Sequence, residues 1–185
     1  MSRELKELHP YVQQKAEKLI SECAAAGINI LVTQTYRSIA EQDALYAQGR
    51  TKPGKKVTNA KGGQSYHNYR LAFDIVPLVN GKPAWDRLDL FDKAGEIGKR
   101  IGLEWGGDFK TIKDRPHFQY TQGLTYYDLQ NGRVIKVSEE KKQEPHWAEK
   151  HFESLKAKGI QISEKRFDDK ITRGELFAML DRIVK

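Results

Sequence analysis

Gln64-Ser65-Tyr66-His67-Asn68-Tyr69-Arg70-Leu71-Ala72-Phe73-Asp74 places a histidine and an aspartate seven residues apart, where a polar loop runs into an apolar strand. From Leu71 to Val79 the chain is almost continuously apolar, which reads as a strand. Asp74 lies inside it. A carboxylate there must be paired, hydrogen-bonded or metal-bound, because burying it alone is very costly. A second unit, Asp114-Arg115-Pro116-His117, follows about forty residues on. Together the two stretches supply two imidazoles and two carboxylates, the side chains of a three-ligand zinc site with a general base.

Working outward, Pro10 to Ala26 reads as a helix, with Val12, Ala16, Leu19, Ile20 and Cys23 at helical spacing, Pro10 in the first turn and Gly27 as the stop. Ile28 to Thr33 is apolar and β-branched and reads as a strand. It leads into Tyr36-Arg37, after which Ser38-Ile39-Ala40-Glu41 has the form of a capping box opening a helix to about Gln48. Arg37 thus sits at a strand-to-helix junction, from which side chains reach into clefts; a surface arginine or a salt bridge is the other reading of that position. Arg50 to Gly63 reads as a long exposed loop. Beyond the central strand, Gly81 and Pro83 mark a turn. Leu90 to Ile101 reads as a helix stopped by Gly102, Leu103 to Phe109 as a strand breaking into a tight turn, and His117 to Tyr120 as a short strand. Gly123 to Val137 reads as a turn-rich segment packing back on the domain.

The chain of 185 residues holds one medium domain and a small appendage. The break is placed at 138–144, a charged run with no apolar residue, giving a domain over 1–137 and a small helical module over 145–185. The net charge is +7, of which residues 138–185 contribute only +1. A basic balance fits a polyanion, nucleic acid or an anionic cell wall, and equally fits simple solubility. Mean hydropathy is −0.71, and no stretch approaches the roughly 20 apolar residues that span a bilayer. Met1-Ser2-Arg3-Glu4-Leu5-Lys6 mixes both charge signs without an apolar run, so no export signal of the usual kind is expected. Cys23 is the single cysteine, which excludes an intramolecular disulfide and a multi-cysteine metal site; it is expected to be a buried, inert thiol. Neither a Gly-rich phosphate loop nor a G-x-S-x-G elbow occurs.

A hydrolytic zinc ion takes three protein ligands and leaves the fourth position to water, whose pKa it lowers toward about 7. His67, Asp74 and His117 supply that set, and the cation would make a buried Asp74 tolerable. Asp114, three residues before His117, can face the water as base without being a ligand. Arg37 would bind a substrate carboxylate or polarise the scissile carbonyl. Two histidines and two aspartates within 51 residues also occur without a metal, so spacing alone does not decide the matter.

Ser65-x-His67-x(6)-Asp74 followed by Asp114-x-Pro116-His117 resembles the zinc peptidases that include VanY-type D-Ala-D-Ala carboxypeptidases and L-alanyl-D-glutamate endopeptidases, phage endolysins among the latter. The resemblance covers roughly residues 5–121 and extends to Tyr36-Arg37-Ser38, Gln42, Leu45-Tyr46-Ala47-Gln48-Gly49-Arg50-Thr51 and Trp105-Gly106-Gly107-Asp108-Phe109. It implies an α+β domain with an antiparallel sheet flanked by helices. It implies one zinc ion on His67, Asp74 and His117, Asp114 as base and Arg37 at the substrate carbonyl. Gln42, Ser65, Trp105 and Asp108 are expected to bind substrate. The Tyr-Arg-Ser and Leu-Tyr-Ala-Gln-Gly-Arg-Thr runs look more like the endopeptidases, which implies cleavage between L-Ala and D-Glu of the peptidoglycan stem peptide. A D-Ala-D-Ala carboxypeptidase and a non-catalytic wall-binding protein are the alternatives. Neither nucleic-acid binding nor membrane insertion is expected. A missing export signal fits a phage endolysin made in the host cytoplasm and acting on the wall.

The family usually has glycine where this chain has Arg70. If that position needs positive φ, Arg70 is strained; alternatively it points outward toward an anionic wall. The tail, from His146-Trp147-Ala148-Glu149 to Ile171-Thr172-Arg173-Gly174-Glu175, resembles a single S-layer homology motif, which implies binding to a secondary wall polymer.

Overall fold

The computed structural model describes residues 1–110 and 112–136, together with positions 154 and 157–159. The chain divides into two compact units, Met1–Lys136 and Val137–Lys185. The linker expected over 138–144 lies outside the described residues, as does the wall-targeting module expected over 145–185 apart from those four positions.

Helix α1 runs from Pro10 to Ala25 and buries Val12, Ala16, Leu19 and Cys23, the stripe its 3.6-residue period predicts. Pro10 occupies the first turn, where no amide is needed, and Gly27 leaves the helix at φ 75°. Burial pushes the Cys23 thiol up to about 11, in keeping with an inert core side chain. Strand β1, Ile30–Gln34, follows, then α2, Ile39–Ala47. The capping box that opens α2 is formed as expected: Glu41 N–H donates to Ser38 Oγ at 3.2 Å, and Ser38 N–H donates to the Glu41 carboxylate at 2.8 Å.

Strand β2, Ala72–Val79, is the centre of the sheet. It turns through Asn80 and Gly81, both at positive φ, into the short β3, Lys82–Pro83. That is a two-residue hairpin of the kind Asn-Gly favours. Helix α3, Leu88–Arg100, leads to β4, Glu104–Trp105, and then to β5, His117–Gln119. The order is β1-β2-β5-β4, with β3 on β2, and every strand pairing is antiparallel. The α+β class and the antiparallel sheet are those expected. Gly123 to Lys136 contains one element the sequence reading left out, the five-residue α4, Tyr126–Gln130, capped by Thr125 and Asp128.

Register divides the sheet into two chemically different faces. Phe73 pairs with Phe118, and Phe118 with Trp105. The two phenylalanine rings stack at 5.7 Å between centroids. Helix α3 lies against this aromatic face through Gly95 and Gly98. A methyl group on either would sit 2.4 Å from the Trp105 or Phe118 ring, so only glycine permits the approach. Because strand side chains alternate, Asp74, His117, Gln119 and Glu104 fall on the other face.

Candidate metal centre and cleft

That second face forms the floor of a cleft of about 300 Å³, lined by Arg37, Leu45, Val57, Thr58, Ser65, His67, Asp74, Asp114 and His117. Asp74 and His117 are register partners across β2 and β5, so strand pairing alone brings them together. Asp74 also faces Gln34, after a register shift in β1. His67 arrives from a 3-10 turn, Tyr66–Tyr69, which closes on Arg70 in the left-handed region at φ 63°. Asn68 ties this turn to the start of α2, its amide donating to the Arg37 carbonyl at 2.8 Å. Tyr66 O–H anchors it from the other side by donating to the Leu124 carbonyl at 2.8 Å.

Asp74 Oδ1 lies 3.3 Å from His67 Nε2 and 3.2 Å from His117 Nδ1. One donor atom from each of the three residues falls within 4.8 Å of the others. The far nitrogen of each imidazole is already engaged. His67 Nδ1–H donates to the Thr35 carbonyl at 2.7 Å, and His117 Nε2–H donates to Gln119 Oε1 at 2.9 Å. In the neutral imidazoles this leaves both lone pairs aimed at the carboxylate. Two lone pairs and an anion converging on one point repel unless a cation lies among them. Two nitrogens and one oxygen with outer partners holding the rings suit zinc. When the rings instead carry protons toward Asp74, burial still opposes its ionisation, but the charge and hydrogen bonds of His67 and His117 outweigh it and hold its carboxyl well below the usual carboxylate range. Burial also disfavours charge on His117, and the hydrogen bond that its protonated ring gives Asp74, with the field of that carboxylate, overcomes it, so its pKa is raised.

Asp114 stands at the solvent-exposed rim. Its pKa is raised, chiefly because the cleft wall removes water from it, with Asp74 adding to the effect and His117 opposing it. The link to His117 is rigid: Asp114 N–H donates to the Gly106 carbonyl at 2.9 Å, and His117 N–H to the Asp114 carbonyl at 3.1 Å. Trp105 Nε1–H donates to the Arg115 carbonyl at 2.8 Å, and Arg115 pairs with Asp92 of α3 at 2.6 Å.

Arg37 is buried, and its guanidinium donates to Gln42 Oε1 at 2.6 Å and to Gln34 Oε1. Its Nε has no partner among the described residues. Burial lowers its pKa, offset by the fields of Asp74 and Asp114. A guanidinium held by neutral amides keeps its charge available to the cleft.

Ser65 lines the cleft as expected. Three other residues expected to touch substrate are placed elsewhere. Gln42 is fully buried; it accepts from Arg37 and donates to the Ala60 carbonyl at 2.7 Å, so it positions Arg37 and the 50–63 loop. Trp105 is buried under α3, and Asp108 pairs with Lys99 at 3.0 Å on the surface. Both lie on or near the sheet's aromatic side, which is why neither reaches the cleft. Gln34, Thr35, Gln119 and Glu104 escaped the sequence reading; the alternation that sets Gln119 beside His117 was the available signal. Arg70 adopts the positive φ that glycine usually supplies. Its side chain turns outward over the Tyr36 ring at 4.2 Å and pairs with Glu7 at 2.6 Å.

The D-alanyl-D-alanine carboxypeptidase family pattern matches residues 58–120, which hold all three members of the cluster. The peptidoglycan L-alanyl-D-glutamate endopeptidase CwlK of Bacillus subtilis is 45% identical over 122 residues, covering 61% of this chain and 73% of that protein. The chain belongs to the L-alanyl-D-glutamate peptidase family. An L-alanyl-D-glutamate peptidase of a Listeria phage is 32% identical to this peptidase over 108 residues, 57% of this chain and 35% of the phage protein. A solved L-Ala D-Glu endopeptidase from Serratia marcescens shares its fold with a TM-score of 0.50 at 24% identity, over 68% of this chain and 86% of that one. The family resemblance read from the paired motifs is therefore borne out. Among the peptidase's described residues, no helix is long and apolar enough to cross a membrane.

Proposed function

We propose that this peptidase hydrolyses the L-Ala-D-Glu bond of peptidoglycan stem peptides with one zinc ion held by His67, Asp74 and His117. The observation that carries the reading is the convergence of those three donors on the cleft floor, with Arg37 and Asp114 on its walls, in a chain so similar to a named endopeptidase. When bound, zinc would lower the pKa of a water and withdraw electrons from the scissile carbonyl.

The remaining work falls to the chain's own groups. Asp114, at the rim of the cleft beside the cluster, accepts a proton from the attacking water. As oxygen bonds to the L-Ala carbonyl carbon, Arg37 donates to the carbonyl oxygen that gains charge. Asp114 then returns the proton to the D-Glu nitrogen as the C–N bond breaks. Thr35 and Gln119 hold the two imidazoles in the tautomers that the metal requires. Leu45 and Val57 offer apolar wall to the stem peptide, and Ser65 and Thr58 offer hydroxyls. Gln42 acts through Arg37 rather than on substrate.

The site of action in this reading is the bacterial wall, and the tail over 145–185 contributes affinity for a secondary wall polymer. A D-Ala-D-Ala carboxypeptidase is less favoured, because the long match at 45% identity is to an endopeptidase. End-group labelling of purified peptidoglycan treated with the zinc-loaded protein tests the choice. New amino-terminal D-Glu is expected; free D-Ala without it would transfer the assignment, and no new end groups would refute catalysis.

A further inference from the structure

The two imidazoles of the cluster are oriented by different means. His67 donates to a backbone carbonyl, that of Thr35, which can only accept. His117 faces a side-chain amide, that of Gln119. A carboxamide presents either an acceptor or a donor, depending on which way it is turned. If the amide were turned round, its NH2 would require a lone pair on His117 Nε2. The ring proton would then move to Nδ1, the atom facing Asp74. Something must therefore fix the amide.

Glu104 meets that need. It is the register partner of Gln119 across β4 and β5, and its carboxylate accepts from Gln119 Nε2 at 2.8 Å. An ionised carboxylate cannot donate, so the atom it meets must be the amide nitrogen. Glu104 is fixed in turn by Thr121, whose backbone N–H donates to it at 3.0 Å and whose hydroxyl donates to the same oxygen. Gln119 is buried while Glu104 reaches solvent, so the carboxylate is only partly desolvated.

We propose that Glu104 and Gln119 form a relay that selects the Nε2–H tautomer of His117 and so leaves Nδ1 free to bind the metal. Both are positioning residues acting through His117. The metal consequence rests on the reading of His117 as a ligand; the tautomer consequence does not. Outer partners of this kind typically change metal affinity about 10–100-fold when removed.

The test uses the full chain and two readouts. Nitrogen NMR of the metal-free protein shows whether His117 Nε2 carries a proton, and competition with a chromophoric chelator measures zinc affinity. Wild type should carry a proton on Nε2, whether or not Asp74 draws a second one to Nδ1. E104Q keeps the shape of the side chain but allows the Gln119 amide to turn, so Nε2 should lose its proton in part of the molecules and zinc affinity should fall by about 10–100-fold. Q119L, which removes the acceptor and spares the Thr121 contacts, should show the same shift. The swapped pair E104Q/Q119E places the acceptor-only group beside His117 and an amide that can donate to it at position 104, so it should restore both readouts. A wild-type Nε2 without a proton would overturn the relay. So would single variants that leave tautomer and affinity unchanged, or a swap no better than E104Q. Failure of wild type to bind zinc would instead overturn the metal reading, with the tautomer measurement still deciding the relay.

Discussion

Arg70 carries a Cβ at a left-handed backbone position, and it allows two opposing energies to be separated. Its backbone sits at φ 63°, ψ 22°, a region costing a residue with a Cβ roughly 1–2 kcal/mol. Its side chain offsets this by lying 4.2 Å over the Tyr36 ring, about 0.5–1 kcal/mol for an exposed site, and by a half-exposed ion pair with Glu7, about 0.2–1 kcal/mol. Arg70→Ala removes both contacts and keeps the strain, so it should destabilise by about 1–2 kcal/mol. Arg70→Gly loses the same contacts but relieves the strain. Greater freedom of glycine in the unfolded chain takes back part of that gain, leaving Gly about 1 kcal/mol more stable than Ala and close to wild type. For a domain of this size 1 kcal/mol corresponds to about 3–4 °C in Tm. Calorimetry of the three proteins at fixed zinc should therefore rank wild type and Arg70→Gly together, with Arg70→Ala several degrees below. An alanine variant as stable as the glycine variant would refute the strain. A glycine variant well above wild type would refute the compensation by Tyr36 and Glu7.

Gly106→Ala should damage stability and activity together. A methyl group there would lie 2.3 Å from the Asp114 carbonyl oxygen and 3.0 Å from His117 Cβ, so the 114–117 segment must shift. Thermal unfolding should show a loss of about 1–3 kcal/mol, and wall-clearing assays a fall of about 100-fold for an ångström of displacement. Arg37→Lys keeps the charge but cannot reach both Gln34 and Gln42. Initial rates should show kcat falling about 10²–10³-fold, with zinc content unchanged. Asp128, hydrogen-bonded to Thr125 and paired with Arg133, is held down at about 2. Its folded value lies below its ordinary value of 3.8, so its stabilising effect is complete above about pH 4 and is lost as pH falls toward 2. Urea titrations at stepped pH should show Asp128→Asn less stable than wild type at pH 5, with the gap closing by pH 2.

Elements with a local signature were readable in the sequence. Pro10 and Gly27 bounded α1, Ser38 and Glu41 announced the cap of α2, and the apolar run to Val79 marked β2. Helix α4 escaped because five residues carry too little periodicity, although Thr125 and Asp128 form a capping box of their own. The cluster was readable because its residue types restrict the chemistry. Its supporting partners were not, since Thr35 acts through a backbone carbonyl and Gln119 and Glu104 meet only through strand register. Gln42, Trp105 and Asp108 stand beside functional residues in the chain, yet local folding directs them away from the cleft. Arg70 could be recognised as unusual, but whether it was strained or turned outward needed the backbone angle and the Glu7 contact; it is both.

The central claim is best tested by mass spectrometry of a defined stem pentapeptide linked through L-Ala to its muramic acid, incubated with the zinc-loaded protein and, in parallel, with Asp114→Ala. The account predicts that wild type alone releases the tetrapeptide beginning with D-Glu and leaves L-Ala on the sugar. Release of D-Ala in its place, or equal cleavage by Asp114→Ala, would contradict it.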